Sequence, residues 1–216
     1  MAVRKIPVKT GSVRGTTPDG EPYESTLERD LYALLRFDPT VKQFTAQPLT
    51  IDFVDVFGVV RQYTPDVLIE YHPIDGPDGA FVLGEVKPLE IADDPDDDIK
   101  ERFAAGDRHA KTRGWTFKVF TEREIRTPLL KNAHFLVGFL NRIPTADAQQ
   151  QVLGLLQEMG TTTVGALLNR SAPGLPERAA TLPVIWHLIS HRTIIANLEL
   201  ELDMNTTIRL AGEAKP

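Results

Sequence analysis

The chain has 216 residues, a formal net charge of −6 and no cysteine. That length accommodates one well-cored domain and a smaller second one, and the lack of cysteine excludes disulfide scaffolds and thiolate metal sites and fits a reducing cytoplasm. No apolar run approaches the ~18–20 residues that span a bilayer, and the charged first fifteen residues have no apolar stretch of the kind a secretory signal needs, so none is expected.

Residues 1–20 lack hydrophobic periodicity and read as an extended arm. Arg4, Lys5, Lys9 and Arg14 precede the first acid, Asp19, so the arm is a candidate DNA contact despite the acidic total. Between 24 and 36, Leu27, Leu31, Leu34 and Leu35 recur at three- and four-residue spacings, which predicts a helix. Phe37-Asp38-Pro39 ends it, because proline disfavours a helical residue before it. Segments 48–57, 60–71 and 80–87 read as strands, the last two separated by the turn-rich HPIDGPDG. The run Asp93-Asp94-Pro95-Asp96-Asp97-Asp98 places five negative charges in what reads as a solvated loop. A helix over 99–113 ending at Gly114, a strand over 115–120 and one or two helices over 121–141 complete the first domain. That order is α/β, a mixed sheet flanked by helices.

Ile143-Pro144-Thr145 marks the expected boundary between domains 1–143 and 144–216. Helices are predicted over 146–159, 162–169 and 182–191, with SAPGLPER as a loop before the last. The tail alternates at Ile194, Leu198, Leu200 and Leu202, turns at Met204-Asn205 and returns as TTIRL. Three helices and a hairpin are the order of a winged helix. With five Lys/Arg against seven Asp/Glu over 145–216, this domain is a poor primary reader of phosphates and is expected to dock a protein partner.

The chemistry concentrates in Thr64-Pro65-Asp66 and Gly84-Glu85-Val86-Lys87. Residues two apart on a strand share a face, so Glu85 and Lys87 project together while Val86 points the other way. A carboxylate from each of two adjacent strands suits a hard divalent cation such as Mg²⁺. The Lys87 ammonium can position or help deprotonate a water, or offset charge on a phosphate. Against this stands the solvated Glu-x-Lys pair of many exposed strands. Flanking Phe81, Val82, Leu83 and Val86 argue for a central strand, where a charged pair needs a reason. Glu28 is a further candidate, although Ser25-Thr26-Leu27-Glu28 matches a helix capping box and explains it locally. Glu24, one turn earlier, is its rival.

The strings ESTLERDLYALLRFDPTVKQFTAQP, RQYTPDVLIEY, VLGEVKP and GWTFKVFTEREIR together resemble the TnsA endonuclease subunit of heteromeric transposases, restriction-endonuclease-like enzymes of the PD-(D/E)xK superfamily. The resemblance spans about 20–140 and extends more weakly to VIWHLISHRTIIANLELELDMNTTI, which is similar to the family's winged-helix region. It implies that Glu28 is a helix-borne catalytic carboxylate, Asp66 and Glu85 the metal-binding acids, and Lys87 the catalytic lysine. It further implies Mg²⁺, replaceable by Mn²⁺, and hydrolysis of the non-transferred strands at the 5′ ends of a transposon. A TnsB-like integrase-type transposase would join the 3′ ends, and a TnsC-like AAA+ ATPase would contact the C-terminal domain. The expected setting is DNA-associated, in a bacterial cytoplasm. A stand-alone repair or restriction nuclease, and a non-catalytic assembly subunit on the same fold, are the competing readings.

Other features carry less. Arg108 and Lys111, with Arg102 and Arg113, could meet phosphates from the helix after the Glu85 strand, or could be a solvated face. His187 and His191 stand one helical turn apart but lack the zincin pattern and a third ligand, and read as packing or surface residues.

Overall fold

The computed structural model describes residues 13–17, 20–73 and 79–212. The chain divides into two compact units, Met1–Ile125 and Arg126–Pro216.

In the first unit a two-residue antiparallel ladder, β1 (Gly15–Thr16) with β2 (Pro22–Tyr23), leads into helix α1 (Thr26–Phe37). The end of the expected arm is therefore a paired turn, while residues 1–12 and 18–19 lie outside the described residues. Helix α1 starts at Ser25, whose Oγ accepts from the Glu28 N–H at 3.1 Å, and buries Leu27, Leu31 and Leu35 as its spacing requires. Strand β3 (Val41–Ala46) follows, then β4 (Ile51–Val54), β5 (Val60–Tyr63), β6 (Val67–Tyr71) and β7 (Phe81–Val86). Helices α2 (Leu89–Asp93) and α3 (Asp97–Thr112), strand β8 (Thr116–Phe120) and the short α4 (Glu122–Ile125) complete the unit.

The main sheet has the order β3-β6-β7-β8, with β6 antiparallel to both β3 and β7, and β7 parallel to β8. Strands β4 and β5 form a separate hairpin. Leu83 of β7 packs with Ile51, Phe53 and Tyr63 of the hairpin and with Ala105 and Ala110 of α3, so hairpin and helix share one core. Gly84 holds the neighbouring strands close: a Cβ there would lie 2.6 Å from Val67 Cγ1 and 2.8 Å from the Phe120 ring.

Three sequence expectations change here. The single strand over 60–71 is two strands in different sheets, broken at Thr64-Pro65-Asp66, where proline supplies no ladder N–H. Strand β3 escapes notice because its register slips between Val41 and Gln43, which spoils the two-residue alternation. The acidic run is solvent-exposed as expected, but only Asp94-Pro95-Asp96 is a connection, the rest being helix ends. Asp93 ends α2, Asp96 caps α3 by accepting from the Ile99 N–H at 2.9 Å, and Asp97 and Asp98 occupy the first turn, where the helix dipole favours negative charge.

The second unit comprises α5 (Pro128–Leu140), α6 (Ala146–Met159), β9 (Thr162–Thr163), α7 (Val164–Ser171), α8 (Leu175–Ser190), β10 (Ile194–Ala196) and β11 (Thr207–Leu210). Its antiparallel sheet has the order β10-β11-β9. Helix α8 starts within the expected SAPGLPER loop because Pro176 sits in its first turn, where a missing N–H costs nothing. The tail strand is shorter than its alternation suggests, and residues 197–206 form a loop. Asn132 of α5, itself buried, pins that loop: its Nδ2 donates to the Leu198 and Leu200 carbonyls at 2.8 and 2.6 Å, and its Oδ1 accepts from the Leu202 N–H at 3.2 Å. The Phe135 and Trp186 rings meet edge-on at 5.2 Å, so α5 packs with α8. The units thus divide ahead of the 143/144 position read from the turn residues, because side-chain packing, not the proline, assigns α5 to a core.

Candidate active site

Asp66 lies immediately before β6, and Glu85 sits near the end of β7, the central strand beside it. The Asp66 backbone is fixed from two sides, its carbonyl accepting from Tyr32 Oη at 3.1 Å and from the Gln47 N–H at 2.9 Å. Its side chain reaches across to β7, where Oδ2 accepts from the Val86 N–H at 2.7 Å. Lys87 follows β7 and is tied to β8 through its N–H, which donates to the Phe120 carbonyl at 3.0 Å.

These anchors bring three of the four expected residues together. Lys87 Nζ lies 2.5 Å from Glu85 Oε1 and 3.9 Å from Asp66 Oδ2, and donates to the Val86 carbonyl at 3.4 Å. Glu85 is 3% exposed. Its other oxygen, Oε2, accepts from Tyr63 Oη at 2.5 Å.

Burial first, and then the adjacent Glu85 charge, push the Asp66 carboxyl up to about 7, against the opposing pull of Lys87 and the Val86 N–H; Glu28 adds a smaller upward push. Burial works against the Lys87 ammonium, but Glu85 and Asp66 outweigh it and hold its pKa above the ordinary lysine value. Lys87 is therefore an ammonium at neutral pH. Burial, followed by the Glu85 charge, likewise drives the Tyr63 phenol upward and keeps it a neutral donor.

Glu28 does not join this contact set. Its Oε1 accepts from Ser25 Oγ at 2.8 Å and its Oε2 from the Glu24 N–H at 2.9 Å, so both carboxylate oxygens serve the start of α1 in a capping-box arrangement. It acts on Asp66 and Lys87 only through its charge. Glu24 turns outward to Arg14 at 3.7 Å, so this residue of the arm is ion-paired.

Among the remaining DNA-contact candidates, Arg4, Lys5 and Lys9 lie outside the described residues. Lys111 pairs with Asp107 at 2.6 Å and Arg102 with Asp98 at 2.6 Å, both as i,i+4 pairs on α3. Arg108 lines a cleft of about 480 Å³ between α3 and β4, with Asp52, Val54 and His109 among the walls. His187 is a buried packing residue and His191 an exposed one: their rings are 4.2 Å apart, and His187 Nδ1 lies 3.0 Å from the Phe139 carbonyl.

Asp66 Oδ2, Glu85 Oε1 and the Val86 carbonyl converge on one cation, the Lys87 ammonium. This hard-oxygen set is of the kind Mg²⁺ prefers, and Mg²⁺ ordinarily retains several waters. Among the described residues no group of three or more His, Asp or Glu side chains could hold a metal, so a carbonyl and water would have to complete the shell. Tyr63 is the residue that sequence reasoning missed. The signal was its place three residues before Asp66, but a strand tyrosine reads as core until its hydroxyl partner is known.

Among the described residues no helix is long and apolar enough to cross a membrane. No curated protein matches the chain. Residues 38–122 match the family model described as the TnsA-like endonuclease N terminal. That stretch contains Tyr63, Asp66, Glu85 and Lys87 and leaves out Glu28 and the second unit. The chain therefore carries a TnsA-like endonuclease N-terminal domain.

Proposed function

We propose that this chain is the Mg²⁺-dependent DNA endonuclease subunit of a Tn7-type transposase, hydrolysing the non-transferred strands at the 5′ ends of the transposon. The convergence of Asp66, Glu85 and Lys87 within 2.5–3.9 Å, inside the matched stretch, carries this reading. Bound among Asp66 Oδ2, Glu85 Oε1 and the Val86 carbonyl, Mg²⁺ would supply Lewis-acid polarisation and a more acidic water. The two carboxylates hold their positions through the Val86 N–H and the Tyr63 hydroxyl. Lys87, held as an ammonium, acts as an electrostatic partner for the scissile phosphate rather than as a base. Glu28 supports the site through its charge and through the start of α1.

The second unit has helices α6, α7 and α8 around the sheet β10-β11-β9. That arrangement supports a winged-helix-like module, and its slight acidity favours docking of a TnsC-like ATPase over primary DNA contact. A TnsB-like transposase and the transposon ends are the remaining partners, with the basic arm and Arg108 as DNA contacts. The test is Asp66→Ala and Lys87→Ala in a reconstituted excision assay with Mg²⁺ or Mn²⁺. Loss of 5′-strand cleavage by at least ~10²-fold in folded protein is the expected result. Undiminished cleavage by either variant would falsify the site.

A further inference from the structure

We propose that Tyr63 is a positioning residue that sets the metal selectivity of the site, favouring Mg²⁺ over Ca²⁺. The inference rests on the nuclease reading above. The terminal torsion of a glutamate is soft, so a free carboxylate can offer a cation either one oxygen or both. Glu85 lacks that freedom, because Tyr63 Oη donates to Oε2 at 2.5 Å and leaves Oε1 to face the Lys87 ammonium. Water is a poor substitute for this donor. Tyr63 is 4% exposed and packs with Ile51, Phe53, Leu83 and Ala105. Its backbone is held in the β4–β5 ladder opposite Ile51.

The same short segment also sets the second carboxylate. Pro65 separates Tyr63 from Asp66, whose Oδ2 is engaged by the Val86 N–H at 2.7 Å. That same Oδ2 faces Lys87 at 3.9 Å, so the Val86 N–H fixes the Asp66 carboxylate in place, while Tyr63 leaves Glu85 with one oxygen for the cation position. Mg²⁺ demands near-octahedral geometry and is bound through few carboxylate oxygens with water, whereas Ca²⁺ accepts six to eight ligands and commonly takes carboxylates bidentately. A Glu85 locked to one oxygen suits the smaller ion. Releasing Oε2 removes the advantage.

The experiment titrates Mg²⁺ and, separately, Ca²⁺ against thermal unfolding of the full chain, wild type and Tyr63→Phe. The half-saturating Mg²⁺ concentration should rise ~10–100-fold in the variant, the usual penalty for losing a group that orients a metal ligand. The Ca²⁺ midpoint should rise much less, so the ratio of the two shifts towards Ca²⁺. Equal shifts for both ions would mean general loosening and would overturn the proposal, as would no shift. A wild-type protein that neither ion stabilises would overturn the metal site itself, and that failure is read without any variant. If Tyr63→Phe does not fold, 3-fluorotyrosine at position 63 keeps the ring packing while making the phenol a stronger donor. It should move the ratio of midpoints without changing the metal-free Tm, and an unmoved ratio overturns the assignment.

Discussion

In the unit Met1–Ile125 the buried polar side chains include the carboxylates of Glu28, Asp30, Asp55 and Glu85, whereas among the described residues of Arg126–Pro216 they are Asn132, His187 and Ser190. The second set is neutral or weakly basic and bonds to main-chain carbonyls: Asn132 to Leu198 and Leu200, His187 to Phe139, and Ser190 to His187. Such groups pin loops and helix ends and leave no charge without a partner. The first unit separates further. Asp55 accepts from Phe57 and Val59 N–H groups and from Arg61, and is held well below the usual carboxylate range, chiefly by the Val59 bond. Asp66 is raised instead, first by burial and then by the adjacent Glu85 charge, which the one ammonium shared between the two carboxylates does not offset. Burying acids is thus compatible with a quiet structural role when donors are sufficient. Where an acid pair is left short of positive charge, as at Asp66 and Glu85, its chemistry is compatible with the divalent cation proposed above.

The largest test of this contrast is Asp66→Asn. The amide oxygen can still accept from Val86, but the charge is gone. Cleavage is expected to fall by at least ~10²-fold, while the metal-free protein at pH 8 becomes more stable, as thermal unfolding would show. A variant that loses both activity and metal-free stability would mean Asp66 is an ordinary structural acid.

The pH dependence follows from the same residue. Its folded value of about 7 lies above the unfolded 3.8, so the folded, metal-free protein holds the proton more tightly. The stabilisation is complete below pH 3.8 and is lost as pH rises through about 7. The loss should amount to about 2–4 kcal/mol, and Asp66→Asn should remove that pH dependence. Because Mg²⁺ must displace the proton, its half-saturating concentration should fall as pH rises through this range. Calorimetric titration at several pH values would check it.

In the second unit, Asn132→Ala leaves the Leu198 carbonyl buried without its donor and should cost ~1–3 kcal/mol in chemical unfolding. The Mg²⁺ response of the first unit should stay unchanged. Glu28→Gln has a smaller expected effect. The cap geometry is retained and the charge is lost, so the Asp66 transition moves to lower pH, which pH-dependent unfolding would detect. Smallest of all, Lys111→Ala breaks an exposed pair with Asp107 and should change stability by no more than ~0.5 kcal/mol.

Much of this was legible locally. The leucine spacing marked α1, and Ser25-Thr26-Leu27-Glu28 announced the cap that Glu28 makes. The two-residue period placed Glu85 and Lys87 on one face. These are properties of neighbouring residues, and a short stretch of chain specifies them by itself. The tertiary structure decided matters of long-range packing. A register slip hid β3, the break at Thr64-Pro65-Asp66 put Tyr63 in the hairpin and Asp66 at the entry to β6 of the main sheet, and the Phe135–Trp186 contact assigned α5 to the second unit. The hydroxyl that holds Glu85 comes from 22 residues away in the chain. Only when hairpin, sheet and α3 close on a common core do one ammonium and two carboxylates become a site.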